Sequence, residues 1–189
     1  DQKEYVVGIF LDIKKAFEAL KMDNRWNGNP SPMKNYYHPG MGYGGYCLPK
    51  DVKSFLNLSK KYKYKSILNE IDGINKRIFD YQCQKILKVN KKSNLFILGL
   101  SFKPGSDDLR SSKSIQLVQA LLKKKRNITA FDPVCFRSAS KILGNKIKIY
   151  KQPFVNKKAI YVLSTAWPQY IKFLSKIDRN NIIDLRYII

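Results

Sequence analysis

From residue 95 onward, short apolar runs alternate with helical patterns, and no other feature of the chain restricts its fold as much. Residues 95–100, Leu-Phe-Ile-Leu-Gly-Leu, form a continuous apolar run too short for a helix. Further strand-like runs follow at 127–131, 146–150, 159–163 and 181–185. Between them, 112–125, 138–143 and 169–174 carry helical spacing. Strands separated by helices predict a parallel sheet covered on both faces.

The first half reads differently. In 2–22, Val6, Ile9, Phe10, Ile13, Phe17 and Leu20 recur at helical spacing, with lysines on the other face. Residues 23–46 are rich in Asn, Gly and Pro and read as a loop. A loop of that length inside a compact domain is usually functional. A helix is expected over 48–62, opened by Pro49, and a longer one over 67–89, with Ile71, Ile74, Ile78, Phe79 and Ile86 marking its buried stripe. Residues 90–94 are a polar, basic hinge. The expected organisation is therefore a helical module over 1–90 and an α/β domain over 94–189. A chain of 189 residues can hold one sizeable domain plus a smaller element.

Charge narrows the partners. The net charge is +22, from 36 Lys+Arg against 14 Asp+Glu. Such a balance attracts nucleic acid, anionic surfaces or anionic metabolites. The lysines are spread along the chain and accompanied by many Asn and Ile, a combination that AT-rich coding favours. A nucleic-acid or other polyanion partner stays open without being favoured. The three cysteines, Cys47, Cys83 and Cys135, are an odd number without scaffold spacing, which points to a reducing cytoplasm. Apolar runs are short and lysine-interrupted, so no membrane span is expected. With His38 the only histidine and no Cys-x-x-Cys, no metal site is expected.

Chemistry concentrates in 42–51, Gly-Tyr-Gly-Gly-Tyr-Cys-Leu-Pro-Lys-Asp. The glycines allow close approach to a ligand. Pro49 suits the first turn of a helix. That puts Cys47 at or near a helix N-cap with Asp51 about one turn in. The positive end of the helix and Lys50 favour a thiolate. This arrangement suits a covalent nucleophile; the plainer alternative is a buried small hydrophobe with a helix-capping carboxylate.

This string closely resembles the catalytic-cysteine motif of the UDP-glucose/GDP-mannose dehydrogenase family. Residues 98–110, Leu-Gly-Leu-Ser-Phe-Lys-Pro-Gly-Ser-Asp-Asp-Leu-Arg, resemble the family's phosphate-contacting loop. Thr-Ala-Trp-Pro at 165–168 and Ile-Asp-Leu-Arg at 183–186 fall where the family has a Trp-Pro step and a closing Asp-x-Arg strand. The resemblance runs from about Ile9 to Arg186. It implies a helical dimerisation module followed by a Rossmann-like domain that binds a UDP-sugar. It also implies a cytoplasmic, homodimeric enzyme of polysaccharide biosynthesis, in which NAD+ twice oxidises a sugar carbon. The Tyr-Cys-Leu-Pro-Lys-Asp form matches the UDP-glucose type better than the N-acetylhexosamine branch.

The resemblance also assigns roles. Cys47 would be the nucleophile and Asp51 would orient or deprotonate water. Tyr36, Tyr43, Gly44, Lys103 and Arg186 would contact the UDP-sugar, and Arg110 the NAD pyrophosphate. For Arg110 and Lys103 the plainer alternative is salt-bridging to Asp107 or Asp108; for the tyrosines it is ordinary half-buried packing. Where the family donates an arginine to the partner subunit, this sequence has Ser31, with Arg25 and Lys34 nearby. Asp132 resembles a ribose-binding acid, although the following Pro133 suits a turn initiator. Cys83 and Cys135 have no matched role.

The one Gly-x-Gly-x-x-Gly spacing, Gly40 to Gly45, lies in the loop before Cys47 and follows no strand-like run, so no dinucleotide-binding fingerprint is expected in these residues. The family carries its NAD-binding domain first, then a lysine and asparagine that would align just before Asp1. The expectation is a central and C-terminal portion without the NAD-binding domain: an excised piece, a split gene product or a remnant. The alternative is a non-catalytic protein that reuses this half as a basic binding or structural module.

Overall fold

The computed structural model describes residues 13–24 and 40–189. The first half of the expected 2–22 helix, together with Arg25, Ser31, Lys34, Tyr36 and His38, lies outside the described residues. Two compact units are present, one formed essentially by residues 1–38 and the other by 39–187. In the first unit, α1 (Ile13–Lys21) is the described helix.

The second unit opens with α2 (Cys47–Lys61) and α3 (Leu68–Leu87). It continues with β1 (Asn94–Leu98), α4 (Lys113–Lys123), β2 (Ile128–Phe131), α5 (Phe136–Leu143), β3 (Lys148–Tyr150), β4 (Ala159–Leu163), α6 (Pro168–Leu174) and β5 (Ile182–Asp184). All four strand pairings are parallel, in the order β3-β2-β1-β4-β5. The expected parallel sheet is what forms. Differences are small: α5 begins two residues before the expected 138, and short 3-10 turns occupy 144–146 and 179–181.

The strand order reverses between β1 and β4. With right-handed crossovers, α4 and α5 cover one face and α6 the other. Strand alternation sorts the core accordingly. Leu95 and Ile97 join a fully apolar cluster with Leu117, Val118 and Leu121 of α4, and Cys83 and Ile86 of α3 belong to it as well. Phe96 enters an aromatic cluster with Phe131, Phe154 and Tyr161, their ring centroids 5.1–5.3 Å from its own. The C-terminal turns of α3 thus share a core with the sheet, which is why the 90–94 hinge does not separate compact units here.

By contrast, α2 has no buried residue. Phe55 and Leu58 are exposed along it and Tyr62 at its C-cap. Ile67 at the N-cap of α3 and Ile71, Ile74, Ile78 and Tyr81 along it are exposed too, so of the expected buried stripe of α3 only Ile86 is fully buried, where the helix meets the sheet core. Among the described residues, no helix is long and apolar enough to cross a membrane, and no group of three or more His, Cys, Asp or Glu could hold a metal ion.

Candidate functional site

Cys47 is the first residue of α2, with Tyr46 at the N-cap and no side-chain cap. Pro49 is therefore the third helical residue, where the missing N–H is still one the helix could not use. Cys47 is exposed, whereas Cys83 and Cys135 are buried. Burial pushes the Cys83 thiol up to about 11, with a smaller push from Asp80. Burial, then Asp132, pushes Cys135 up to about 12.

The loop before Cys47 is seated by close backbone packing. Gly45 has φ +81, and a Cβ there would stand 2.8 Å from the Phe102 ring. A Cβ on Gly44 would stand 2.5 Å from the Ser111 carbonyl oxygen. These contacts bind the 42–46 loop to the 99–112 loop that follows β1. Between the two loops is an open groove lined by Gly44, Cys47, Phe102, Lys103, Asp108 and Arg110, among others.

Four of the expected site residues, Gly44, Cys47, Lys103 and Arg110, share that groove. Tyr43, Asp51 and Arg186 do not line it. The Arg110 guanidinium is held on Asp108, with Nη2 donating at 2.9 Å and Nε at 3.0 Å, and lies 4.2 Å from the Tyr46 ring centroid. The pair raises the pKa of Arg110 and lowers that of Asp108, in each case mainly through the side-chain hydrogen bond. Asp51 pairs with Lys50 at 2.7 Å on the exposed side of α2. The Tyr43 hydroxyl donates to Asp72 at 3.3 Å, and burial followed by Asp72 raises its pKa.

Arg186 follows β5. Its backbone N–H donates to Asp184 at 2.7 Å, and its side chain packs against Gly40, where a Cβ would stand 2.8 Å from Nη1. Burial lowers its pKa, opposed by Asp184, and its Nε is buried without a hydrogen-bond partner.

Asp132 is fully buried. One carboxylate oxygen accepts from Leu100 and Ser101 N–H at 2.8 and 2.9 Å, the other from Val134 and Cys135 N–H at 3.0 and 2.6 Å. It ties the carboxyl ends of β1 and β2 together, which is the turn role and not a ribose contact. A second tie is made by hydroxyls. Ser164 donates to Gly99 C=O at 2.7 Å, Thr165 donates to Ser101 C=O at 2.7 Å, and Trp167 Nε1 donates to Ser101 Oγ at 3.1 Å. Sequence reading assigned no role to these hydroxyls; the Ser-Thr pair directly after an apolar strand was the available signal.

A dinucleotide needs free backbone amides at a glycine-rich turn. Here the Leu100 and Ser101 amides are already taken by Asp132. The loop after β1 therefore offers such a cofactor the Arg110 guanidinium but not these two amides.

Comparison with known proteins agrees with this anatomy. Residues 5–77 match the model of the UDP-glucose/GDP-mannose dehydrogenase family, central domain, and 96–189 match that of its UDP binding domain. The UDP-glucose 6-dehydrogenase of Rickettsia typhi is 32% identical over 195 residues, which cover 93% of this chain and 44% of that protein. The chain thus spans under half the length of this curated relative. A solved UDP-glucose dehydrogenase from Pyrobaculum islandicum superimposes with a TM-score of 0.69 at 24% identity, over 93% of this chain and 40% of the other. A GDP-mannose dehydrogenase from Pseudomonas aeruginosa gives 0.69 at 22%, over 92% and 44%.

Proposed function

Because the chain belongs to the UDP-glucose/GDP-mannose dehydrogenase family, we propose that it is the substrate-binding half of a nucleotide-sugar dehydrogenase. The activity is oxidation of UDP-glucose, or a related UDP-hexose, to the uronic acid. One observation carries this reading: Cys47, exposed at the start of α2, opens onto the same groove as Lys103 and Arg110. An anionic ligand held by those cations lies within reach of the thiol.

In this reading the substrate carbon passes from alcohol through aldehyde to acid. Two NAD+, one for each oxidation, would each accept one hydride, and in this chain Arg110 would contact the cofactor. The Cys47 thiolate adds to the aldehyde carbon, and the carbonyl oxygen becomes a thiohemiacetal oxygen. After the second oxidation the carbon is a thioester. Water then attacks it, the C–S bond breaks, and the sulfur leaves as the thiolate while the carboxylic acid is released. Asp51, one turn along α2, takes the proton from that water; to do so it must give up its pairing with Lys50. Lys103 contacts the UDP phosphates, and Tyr36, Tyr43, Gly44 and Arg186 complete the sugar-nucleotide site. Arg110 exchanges Asp108 for the cofactor pyrophosphate. The helical module over 1–90 and the α/β module over 94–189 divide the work, and a homodimer forms through the first.

Protection of Cys47 tests this directly. UDP-glucose should slow alkylation of Cys47 by iodoacetamide, and Lys103→Ala should remove most of that protection. Equal rates with and without the nucleotide sugar would overturn the reading. The +22 charge supports a second one, a non-catalytic relic reused as a basic binding protein; polyanion binding without Cys47 protection would favour it.

A further inference from the structure

Asn75 is a buried amide in the middle of α3, only 8% exposed, and the chemistry above gives it no task. Asparagine is a poor helix former, and a buried amide needs partners for both ends. Both partners are on one residue. The Asn75 Oδ1 accepts from the Tyr43 backbone N–H at 2.7 Å, and its Nδ2 donates to the Tyr43 C=O at 3.2 Å. The carboxamide thus pairs with Tyr43 as a neighbouring strand would, from a helix 32 residues away. Gly42 makes this possible. It has φ +89, and any Cβ there would fall on the Asn75 Oδ1. One turn earlier on α3, Asp72 holds the Tyr43 hydroxyl.

We infer that Asn75 is a positioning residue for Cys47: by clasping the Tyr43 backbone it fixes the start of α2 and the presentation of the thiol. This rests on the reading of Cys47 as the nucleophile. Only Gly44, Gly45 and Tyr46 separate the clasp from Cys47. Two of those three are glycines, which have the most freedom to lose. Their seats against Ser111 and Phe102 are packing contacts without a directional bond of their own. The clasp supplies the direction.

The test needs no substrate, so it is separable from the nucleotide-sugar reading. Wild type, Asn75→Ala and Asn75→Asp are compared by iodoacetamide alkylation at Cys47, Cys83 and Cys135, and by hydrogen exchange at the Tyr43 amide. Asn75→Asp keeps the acceptor for that amide and turns the donor into a second acceptor facing the Tyr43 carbonyl. In Asn75→Ala the Tyr43 amide should exchange at least ~10-fold faster, and Cys47 should alkylate at least ~5-fold more slowly as the first turn of α2 frays. In Asn75→Asp the Tyr43 amide should stay within about 3-fold of wild type, with Cys47 intermediate. Continued protection of Cys83 reports an intact fold. A Cys47 rate within about 2-fold of wild type in Asn75→Ala, despite a deprotected Tyr43, would overturn the inference, as would unchanged Tyr43 exchange. If Asn75→Ala unfolds and exposes Cys83, then Asn75→Asp and Gly42→Ala decide on the same readouts, because the added methyl displaces the carboxamide from the other side.

Discussion

At the scale of single residues, the three thiols are separated by burial. Cys47 is exposed, and Cys83 and Cys135 are 8% and 1% exposed. Limited alkylation followed by peptide mapping should therefore modify Cys47 first; earlier modification of either other cysteine would remove the physical basis for its role. Cys83 also makes stability depend on alkaline pH. The folded chain holds its proton to about 11, against an ordinary 9.0. The raised value means that its contribution is complete below pH 9.0, and is lost as pH rises through about 11. Urea midpoints measured across that range should fall more steeply for wild type than for Cys83→Ala. Asp132 carries a different load, since four backbone N–H groups depend on its carboxylate. Asp132→Ala should cost about 3 kcal/mol or more in urea unfolding, and Asp132→Asn less, because one oxygen remains to accept.

Elements meet at the carboxyl ends of the strands, where the sheet order reverses and ligands of such sheets bind. The loop between β1 and α4 is pinned at its far end by Ser112. Its Oγ donates to Leu100 C=O at 2.6 Å and accepts from Ile115 N–H at 3.3 Å, so one hydroxyl caps α4 and closes the loop. Ser112→Ala should destabilise by about 1–2 kcal/mol in denaturant unfolding. It should also weaken UDP-glucose protection of Cys47, because Lys103 and Arg110 lie within the loop it closes. An unchanged unfolding midpoint would show the cap to be dispensable.

At the scale of the whole molecule, exposed apolar side chains on α2 and α3 and a net charge of +22 act in opposite directions. The apolar stripe favours association with a second copy, while like charge resists it at low salt. Sedimentation over a range of ionic strengths should show association strengthening with salt; a monomer at every salt and at high protein concentration would count against a dimer through this module. For the reaction, the family portions that this chain matches are the central domain over 5–77 and the UDP binding domain over 96–189. The 189-residue chain alone should therefore form no NADH from UDP-glucose, and steady turnover would refute that.

Much of this was legible from residues in order. The apolar runs marked β1, β2 and β4 because central parallel strands are buried on both faces, while the edge strands β3 and β5 are partly exposed and were marked by shorter apolar stretches. The 42–51 string announced its chemistry because glycine, proline and cysteine act through local backbone geometry that neighbours in sequence define. The partners across space were not legible. That Arg110 would pair with Asp108 and lie on Tyr46, that Asp51 would turn to Lys50, and that Arg186 would bury its guanidinium against Gly40 are matters of tertiary packing. The same holds for Asp132 and Asn75. A carboxylate or a carboxamide has several ways to be satisfied, and only the folded chain decides which backbone groups arrive within hydrogen-bonding distance. Residue types and spacing determined the strands, the helices and the nucleophile candidate; the tertiary structure decided which polar groups hold the site in place.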